Sequence, residues 1–273
     1  MNSGCRADRG GIPGDVLRPG PEGCAGGPAD KDSIALGFRS RLRVWRHFVS
    51  LMMDPEGMHC VRLRAAIVDL LAQWPAAHFT KALDYGCGGR PYKGAINRIA
   101  KETVAVDIGE NPLADFSIGP DEGVPLPDAS VDLAVSFQVL EHVADYGRYL
   151  AELARVCKTD AVLVLSAPSV WPYHPHPMDF RRWTLEGLDC DLRRAGFERT
   201  RYEPVLNPVS SSFQYLLSVC GYLLCRRGAA AMCLLRIMSL SLNPLIVLSE
   251  KFLQGSYRCG AGNYVVIANR LRT

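Results

Sequence analysis

The sequence has no CxxC pair, for none of its ten cysteines stands three positions from another. That excludes a zinc ribbon and a thioredoxin-type redox motif. Cys60, Cys87, Cys157 and Cys233 sit in apolar segments, which predicts buried free thiols in a reducing compartment. Charge of one sign is equally scarce: 31 basic against 28 acidic residues leave a formal net charge of +3. Bulk charge therefore gives no case for a nucleic-acid partner. No uninterrupted apolar run reaches the roughly 18 residues that a spanning helix needs. The first 30 residues, rich in Gly and Pro, lack the apolar core of a secretory leader. What is present is ordinary: 48% hydrophobic and 22% charged residues over 273 positions. Those values exclude wholesale disorder, collagen and coiled coil, and suit one large α/β domain with attachments. A cytoplasmic protein is expected, with contact at the inner face of a membrane as the alternative.

Residues 1–30 show no periodicity and few large apolar groups, which predicts a disordered tail or a misplaced start. Two N-terminal helices are expected within 31–78. The first, 33–53, carries Arg39, Arg41, Arg43 and Arg46 among apolar positions, and either docks on the domain or meets a membrane surface or substrate. The second, 57–73, stops before Trp74-Pro75. From Lys81 onward short apolar runs alternate with helical stretches. Ala82–Tyr85, Thr103–Asp107, Val131–Ser136 and Ala161–Ala167 predict buried strands; 91–101 and 145–157 predict helices between them. Such alternation implies parallel pairing in a doubly wound α/β sheet. A helix over 184–195, a strand over Phe197–Val205 and a last strand Asn263–Ala268 complete the pattern. The main domain is thus expected over 79–206 with 256–273, interrupted by a hydrophobic helical insert at 207–255.

Leu83–Tyr92, LDYGCGGRPY, is the informative segment. An apolar strand ends in Asp84 and passes at once into Gly86-Cys87-Gly88-Gly89. Glycines there permit a tight strand-to-helix turn and let a ligand approach the backbone, while helix amides face an anionic group. Asp107 closes the next strand, about 20 residues beyond the turn, where a carboxylate can bind a ribose diol. A GxGxxG fingerprint would need glycine at position 91, which is Pro91, so the nicotinamide dinucleotide reading weakens.

On these residues the chain resembles the class I S-adenosylmethionine-dependent methyltransferases, in their type 11-like branch. Asp84-Tyr85-Gly86-Cys87-Gly88 with Asp107 is similar to that family's first motif and its acidic partner. Val124–Val143 resembles the segment across its fourth strand, and residues 150–168 the helix and strand that follow. The GCGGRPY stretch and Pro175–Thr184, PHPMDFRRWT, resemble one subgroup that often accompanies polysaccharide assembly. The resemblance implies strand order 3-2-1-4-5-7-6 with the seventh antiparallel, and S-adenosylmethionine as cofactor. It also implies that Asp84, Tyr85, Gly86, Cys87 and Gly88 shape the methionine end, that Asp107 binds ribose and Ile108 packs on adenine, and that Phe137 and Gln138 close the pocket. Asp121 is a looser candidate for the adenine amine. Arg90 departs from the pattern, standing where a third glycine is frequent; it either holds the cofactor carboxylate or faces solvent.

The implied reaction moves a methyl group to a small-molecule or glycan acceptor, in all expectation at oxygen. A quinone or lipid methyltransferase and a non-catalytic cofactor-binding scaffold are the rivals. A hydroxyl acceptor calls for a base; His142, His174, His176 and Asp179 are the candidates, with Glu141 read as structural. The HxH spacing of His174 and His176 has no Cys or His partner at a suggestive interval, so no metal is assigned. Arg181 and Arg182 either pair with an anionic acceptor or form a surface pair. Within the insert, Arg226-Arg227, Arg236 and Asn243-Pro244 interrupt the apolar runs, and neither piece is expected to span a bilayer cleanly. A hairpin packed on the domain or on a second copy, a membrane-surface anchor and a lipid-substrate lid remain open for it.

Overall fold

The computed structural model describes residues 49–120, 122–174, 178–253 and 260–272. The readings made for residues 1–48, for Asp121 and for Pro175-His176-Pro177 therefore lie outside the described residues, except that residues 49–53 are helical.

Seven strands form one sheet: β1 Phe79–Tyr85, β2 Ala100–Ile108, β3 Phe116–Ile118, β4 Val131–Phe137, β5 Cys157–Pro168, β6 Phe197–Val205 and β7 Asn263–Arg270. Their order is β3-β2-β1-β4-β5-β7-β6. β1 lies parallel between β2 and β4, with Asp84 level with Ala105 on one side and Val135 on the other. β7 runs antiparallel to both β5 and β6. This is a doubly wound α/β fold, in the strand order that the resemblance implies. The short β3 is one strand that apolar runs do not reveal: Phe116–Ile118 is three residues long and mostly exposed.

Both faces of the sheet are covered, so its central strands are apolar on alternate sides. Leu83, Ala134, Leu163 and Leu165 turn to one core, where α3 Tyr146–Val156 and α4 Leu185–Arg194 pack through Leu150, Leu153, Leu188 and Leu192. Ala82, Leu133, Val135 and Val164 turn to the other, against α1 Gly57–Ala72 and α2 Lys93–Ile99. Local chemistry sets the helix starts. Asp145 caps α3 by accepting from the Arg148 amide at 2.9 Å, and Thr184 caps α4 through the Gly187 amide at 3.1 Å. The thiols divide: Cys87 and Cys157 are buried as expected, but Cys60 and Cys233 are exposed, because both lie on helix faces turned from the sheet.

Two helices, α5 Pro208–Leu224 and α6 Ala229–Phe252, fill the stretch between β6 and β7. Asn207 caps α5 by accepting from the Val209 and Ser210 amides, with Pro208 at the first helical position. α6 runs unbroken through Pro244. At 24 residues it is long and apolar enough, by length and composition alone, to cross a membrane, which the interruption by Asn243-Pro244 had argued against. The polarity of the pair is inverted. The residues buried against the domain include Ser210, Ser211, Gln214, Ser239, Asn243 and Glu250, whereas Leu223, Ile237, Leu248 and Phe252 are exposed. Asn243 fastens the arrangement, its Nδ2 donating to the carbonyls of Met52 at 2.9 Å and Asp54 at 3.1 Å. Asn243→Ala leaves both carbonyls buried without that donor and should cost about 1–3 kcal/mol, read as a lower urea midpoint at unchanged slope.

Candidate functional site

The sheet order reverses between β1 and β4, and at such a switch point ligands gather beyond the carboxyl ends of the strands. The turn after β1 is built for that place. Gly86 takes φ +76°, and a Cβ there would overlap the Val139 side chain. A residue other than glycine would thus be strained by its backbone and blocked by its neighbour. Gly88, at φ +50°, has nothing within 4 Å of where a Cβ would be, so its backbone is bare to a ligand. The Gly86 amide donates to the Val106 carbonyl at 2.8 Å, which ties the turn to β2.

Asp107 ends β2 directly across from this turn. Its Oδ2 accepts from the Gly88 amide at 3.1 Å and from Asn111 Nδ2, and its Oδ1 from the Ile108 amide at 2.9 Å. Asn111 Nδ2 also donates to the Gly88 carbonyl at 2.9 Å. Glycine turn and carboxylate are therefore one bonded unit on one edge. Asn111 is a member that sequence reasoning missed; its place beyond the strand-ending acid was the available signal. Ile108, 54% exposed beside Asp107, offers an apolar surface of the kind an adenine ring covers.

Buried groups surround the turn. Burial pushes the Asp84 carboxyl up to about 6, against the pull of Arg90 and with a further push from Asp107. Burial likewise raises the Cys87 thiol to about 11, which leaves it protonated and poorly nucleophilic at neutral pH. The Tyr85 ring points away from the edge and stacks on Tyr149 in the core, centroids 4.2 Å apart, so only its backbone belongs to the turn. Arg90 does not face solvent. Its Nη1 donates to the Leu113 carbonyl at 3.3 Å and stands 4.0 Å from Asp115, while its buried Nε has no hydrogen-bond partner.

After β4, the Gln138 amide and side chain both donate to Ser166 Oγ at 3.0 Å, and Phe137 meets the Tyr92 ring edge-on. A 3₁₀ turn, Leu140–His142, follows. It brings His142 to His174, ring centroids 5.1 Å apart, although the two lie on different connections. His142 Nδ1 bonds the Met178 carbonyl. Burial is the largest influence on His174 and lowers its pKa, against the pull of the Pro172 carbonyl and Asp179. Asp179 is placed otherwise than a base requires. Its side chain is 2% exposed and held by Arg182 and the His174 amide. Burial raises its pKa, but those hydrogen bonds and the Arg182 charge outweigh it and leave the group below the usual carboxylate range. Arg182 is occupied with Asp179 and the Trp171 and Pro172 carbonyls, and Arg181 with the Val143 carbonyl and the Tyr146 ring. Both arginines thus brace the loop. Glu141 is the surprise: fully buried, with neither carboxylate oxygen hydrogen-bonded, and raised by burial to about 7.

Comparison with known proteins agrees with this geometry. Residues 83–165 match the family model described as a methyltransferase domain. Over 130 residues the chain is 35% identical to a probable S-adenosylmethionine-dependent methyltransferase of Mycobacterium tuberculosis, covering 42% of this chain and 47% of that one. A ubiquinone biosynthesis O-methyltransferase of Hahella chejuensis is 32% identical over 118 residues, covering 38% and 48%. The chain spans about half the length of these relatives. Among solved structures, a 1,6-didemethyltoxoflavin N1-methyltransferase of Burkholderia thailandensis with bound S-adenosylhomocysteine aligns at 17% identity and TM-score 0.46, covering 91% of this chain and 94% of that one.

The matched segment, from Leu83 in β1 to Leu165 in β5, contains the glycine turn, Asp107 and the β4 edge. It resembles the methyltransferase domains of the S-adenosylmethionine-dependent class. The cofactor fits what is there: the bare Gly88 backbone, the ordered Asp107 carboxylate and exposed Ile108 lie side by side, as an adenosyl group requires. Asp107→Ala should weaken S-adenosylmethionine binding by about 2–3 kcal/mol, roughly 30- to 150-fold, for the loss of hydrogen bonds to a charged group, as measured by titration calorimetry.

Proposed function

We propose that the protein transfers a methyl group from S-adenosylmethionine to a hydroxyl of a small-molecule or glycan acceptor. The observation that carries this reading is the Gly88–Asp107 junction, at 3.1 Å, on the same sheet edge as the paired rings of His174 and the solvent-reachable His142. When bound, the cofactor supplies a sulfonium methyl already activated for in-line displacement. The chain's own task is then mostly positioning, which can lower a barrier by several kcal/mol. Gly86 and Gly88 fix the backbone against which the methionine end lies. Asp107 orients the ribose. Phe137 and Gln138, anchored to Tyr92 and Ser166, wall the opposite side. The acceptor's proton leaves at the His142–His174 edge, while Asp179 and Arg182 hold His174 in place. That the relatives include an O-methyltransferase supports oxygen as the atom methylated.

Titration with S-adenosylmethionine, followed by methyl-labelled turnover on pools of hydroxylated glycans and lipids, tests the reading. Label should enter a product that survives mild alkali, as a methyl ether does and a methyl ester does not. Cofactor binding with no transfer to either pool would instead indicate a scaffold without chemistry.

The outward apolar face of α5 and α6 favours a membrane-bound source for the acceptor. Exposed Leu223, Ile237 and Leu248 share it with Arg226, Arg227 and Arg236. The hairpin's one acidic residue, Glu250, is buried and paired with Arg62 at 2.9 Å. Apolar side chains interleaved with cations are the composition of a helix lying on an anionic lipid surface. The full chain should co-sediment with vesicles containing anionic lipid, and Ile237→Lys with Leu248→Lys should release it. Undiminished sedimentation of that double variant, or self-association without vesicle binding, would remove the membrane reading.

A further inference from the structure

At the carboxyl edge of β4 and β5, three metal-capable donors converge. One atom each of Glu141, His142 and His174 can be chosen so that all lie within 4.8 Å of one another, and Glu141 Oε1 stands 3.8 Å from His142 Nε2. The Glu141 side chain is 0% exposed, and neither of its oxygens has a hydrogen-bond partner. A buried carboxylate in that condition is costly, and a bound cation would offset the cost. Arg182 does not fill the need, since its guanidinium is spent on Asp179 and on the Trp171 and Pro172 carbonyls.

The two imidazoles are oriented to help. His142 Nδ1 faces the Met178 carbonyl. His174 Nδ1 is 3.2 Å from the Pro172 carbonyl and 3.3 Å from Asp179 Oδ2. The Met178 carbonyl places the His142 proton on Nδ1 and leaves its Nε2 lone pair free; His174 Nδ1 also has Arg182 Nη2 at 3.2 Å, and its Nε2 is open to an ion in the tautomer protonated at Nδ1. A carbonyl or carboxylate behind the far nitrogen is the outer-shell support that metal-binding histidines receive. Ligands bound at about 2.1 Å to one ion stand roughly 3–4 Å apart, so side-chain adjustments of about 1 Å would close the cluster on it.

We propose that Glu141, His142 and His174 form a binding site for a divalent first-row transition-metal cation. Two imidazoles and one carboxylate suit zinc, manganese or iron better than magnesium or calcium. Three protein ligands leave coordination positions open. His142 and His174, 17% and 21% exposed, leave the cluster reachable from solvent. Along the chain the cluster lies close to the cofactor turn, because Val139, two residues before Glu141, packs on Gly86. The rest of the inference depends on the methyl-transfer reading: an acceptor hydroxyl bound at the open position gives its proton to solvent near neutral pH. Its oxygen then forms the bond to the methyl carbon as the carbon–sulfur bond breaks, and that electron pair stays on sulfur. The HxH pattern at His174 did not reveal the site because its partners, Glu141 and His142, come from the previous strand's end.

Full-length, tag-free protein stripped with a chelator and titrated with zinc or manganese chloride should take up one ion per chain with micromolar or tighter affinity. Glu141→Gln and His174→Ala should each weaken uptake by about 100-fold or more, beyond the outer-shell range of 10–100-fold. His174 lies on a loop, so its variant tests the site even where Glu141→Gln fails to fold. No saturable uptake at millimolar ion, or equal uptake by wild type and the His174 variant, overturns the proposal. Titration of the same stripped protein with S-adenosylmethionine separates the two readings: cofactor binding without ion uptake removes the metal site alone, and ion uptake without cofactor binding removes methyl transfer alone.

Discussion

Where Val139 crosses Gly86 there is room for a hydrogen atom and no more. That contact brings the end of β4 down onto the turn after β1, and the remainder of the edge is arranged around it. The turn must reverse tightly enough to present the Gly88 amide to Asp107, so β1 and β2 end in register. Val139 must stay within contact distance, so the 3₁₀ turn behind it delivers Glu141 and His142 to a place fixed relative to the glycines. A tight contact that only glycine permits thus positions groups drawn from three strand ends.

The central sheet was legible because its chemistry is local and repetitive. Runs such as Val131–Ser136 are apolar on both faces, and a parallel strand covered on both sides needs that. The acid at 107 was legible for the same reason, as it ends such a run. What escaped notice depends on tertiary placement. β3 is three residues at an edge and carries no pattern of its own. Asn111 matters because a loop folds back over Gly88, and its place four residues beyond Asp107 hints at this only once the turn is known. Glu141 reads as a structural acid until the fold buries both its oxygens without a hydrogen bond. The exposure of Cys60 and Cys233 depends on which way two helices are rolled, a matter of neighbours rather than of composition.

The helices between β6 and β7 show how far composition can mislead about orientation. Their apolar content suggests an interior, yet alongside Leu217, Leu235 and Ile246 the domain takes Ser210, Ser211, Ser239, Asn243 and Glu250 and leaves many leucines outside. Hydrogen bonds decide this. Asn243 closes on two carbonyls and Glu250 on Arg62 and the Asn207 amide, so the polar stripe specifies one seat on the domain. An apolar stripe in the same place could slide. The arrangement joins a specific polar seam to a non-specific greasy exterior, and each suits a different partner.

The placement of β7 carries a consequence for how the molecule is made. The strand latest in sequence is not at the sheet's rim but wedged between β5 and β6, bonded to each along its length. Until residues 263–270 are synthesised, those two earlier strands face each other across a gap with open backbone edges. The nascent chain must therefore wait with its sheet divided, and it is vulnerable to pairing with the wrong neighbour for that interval.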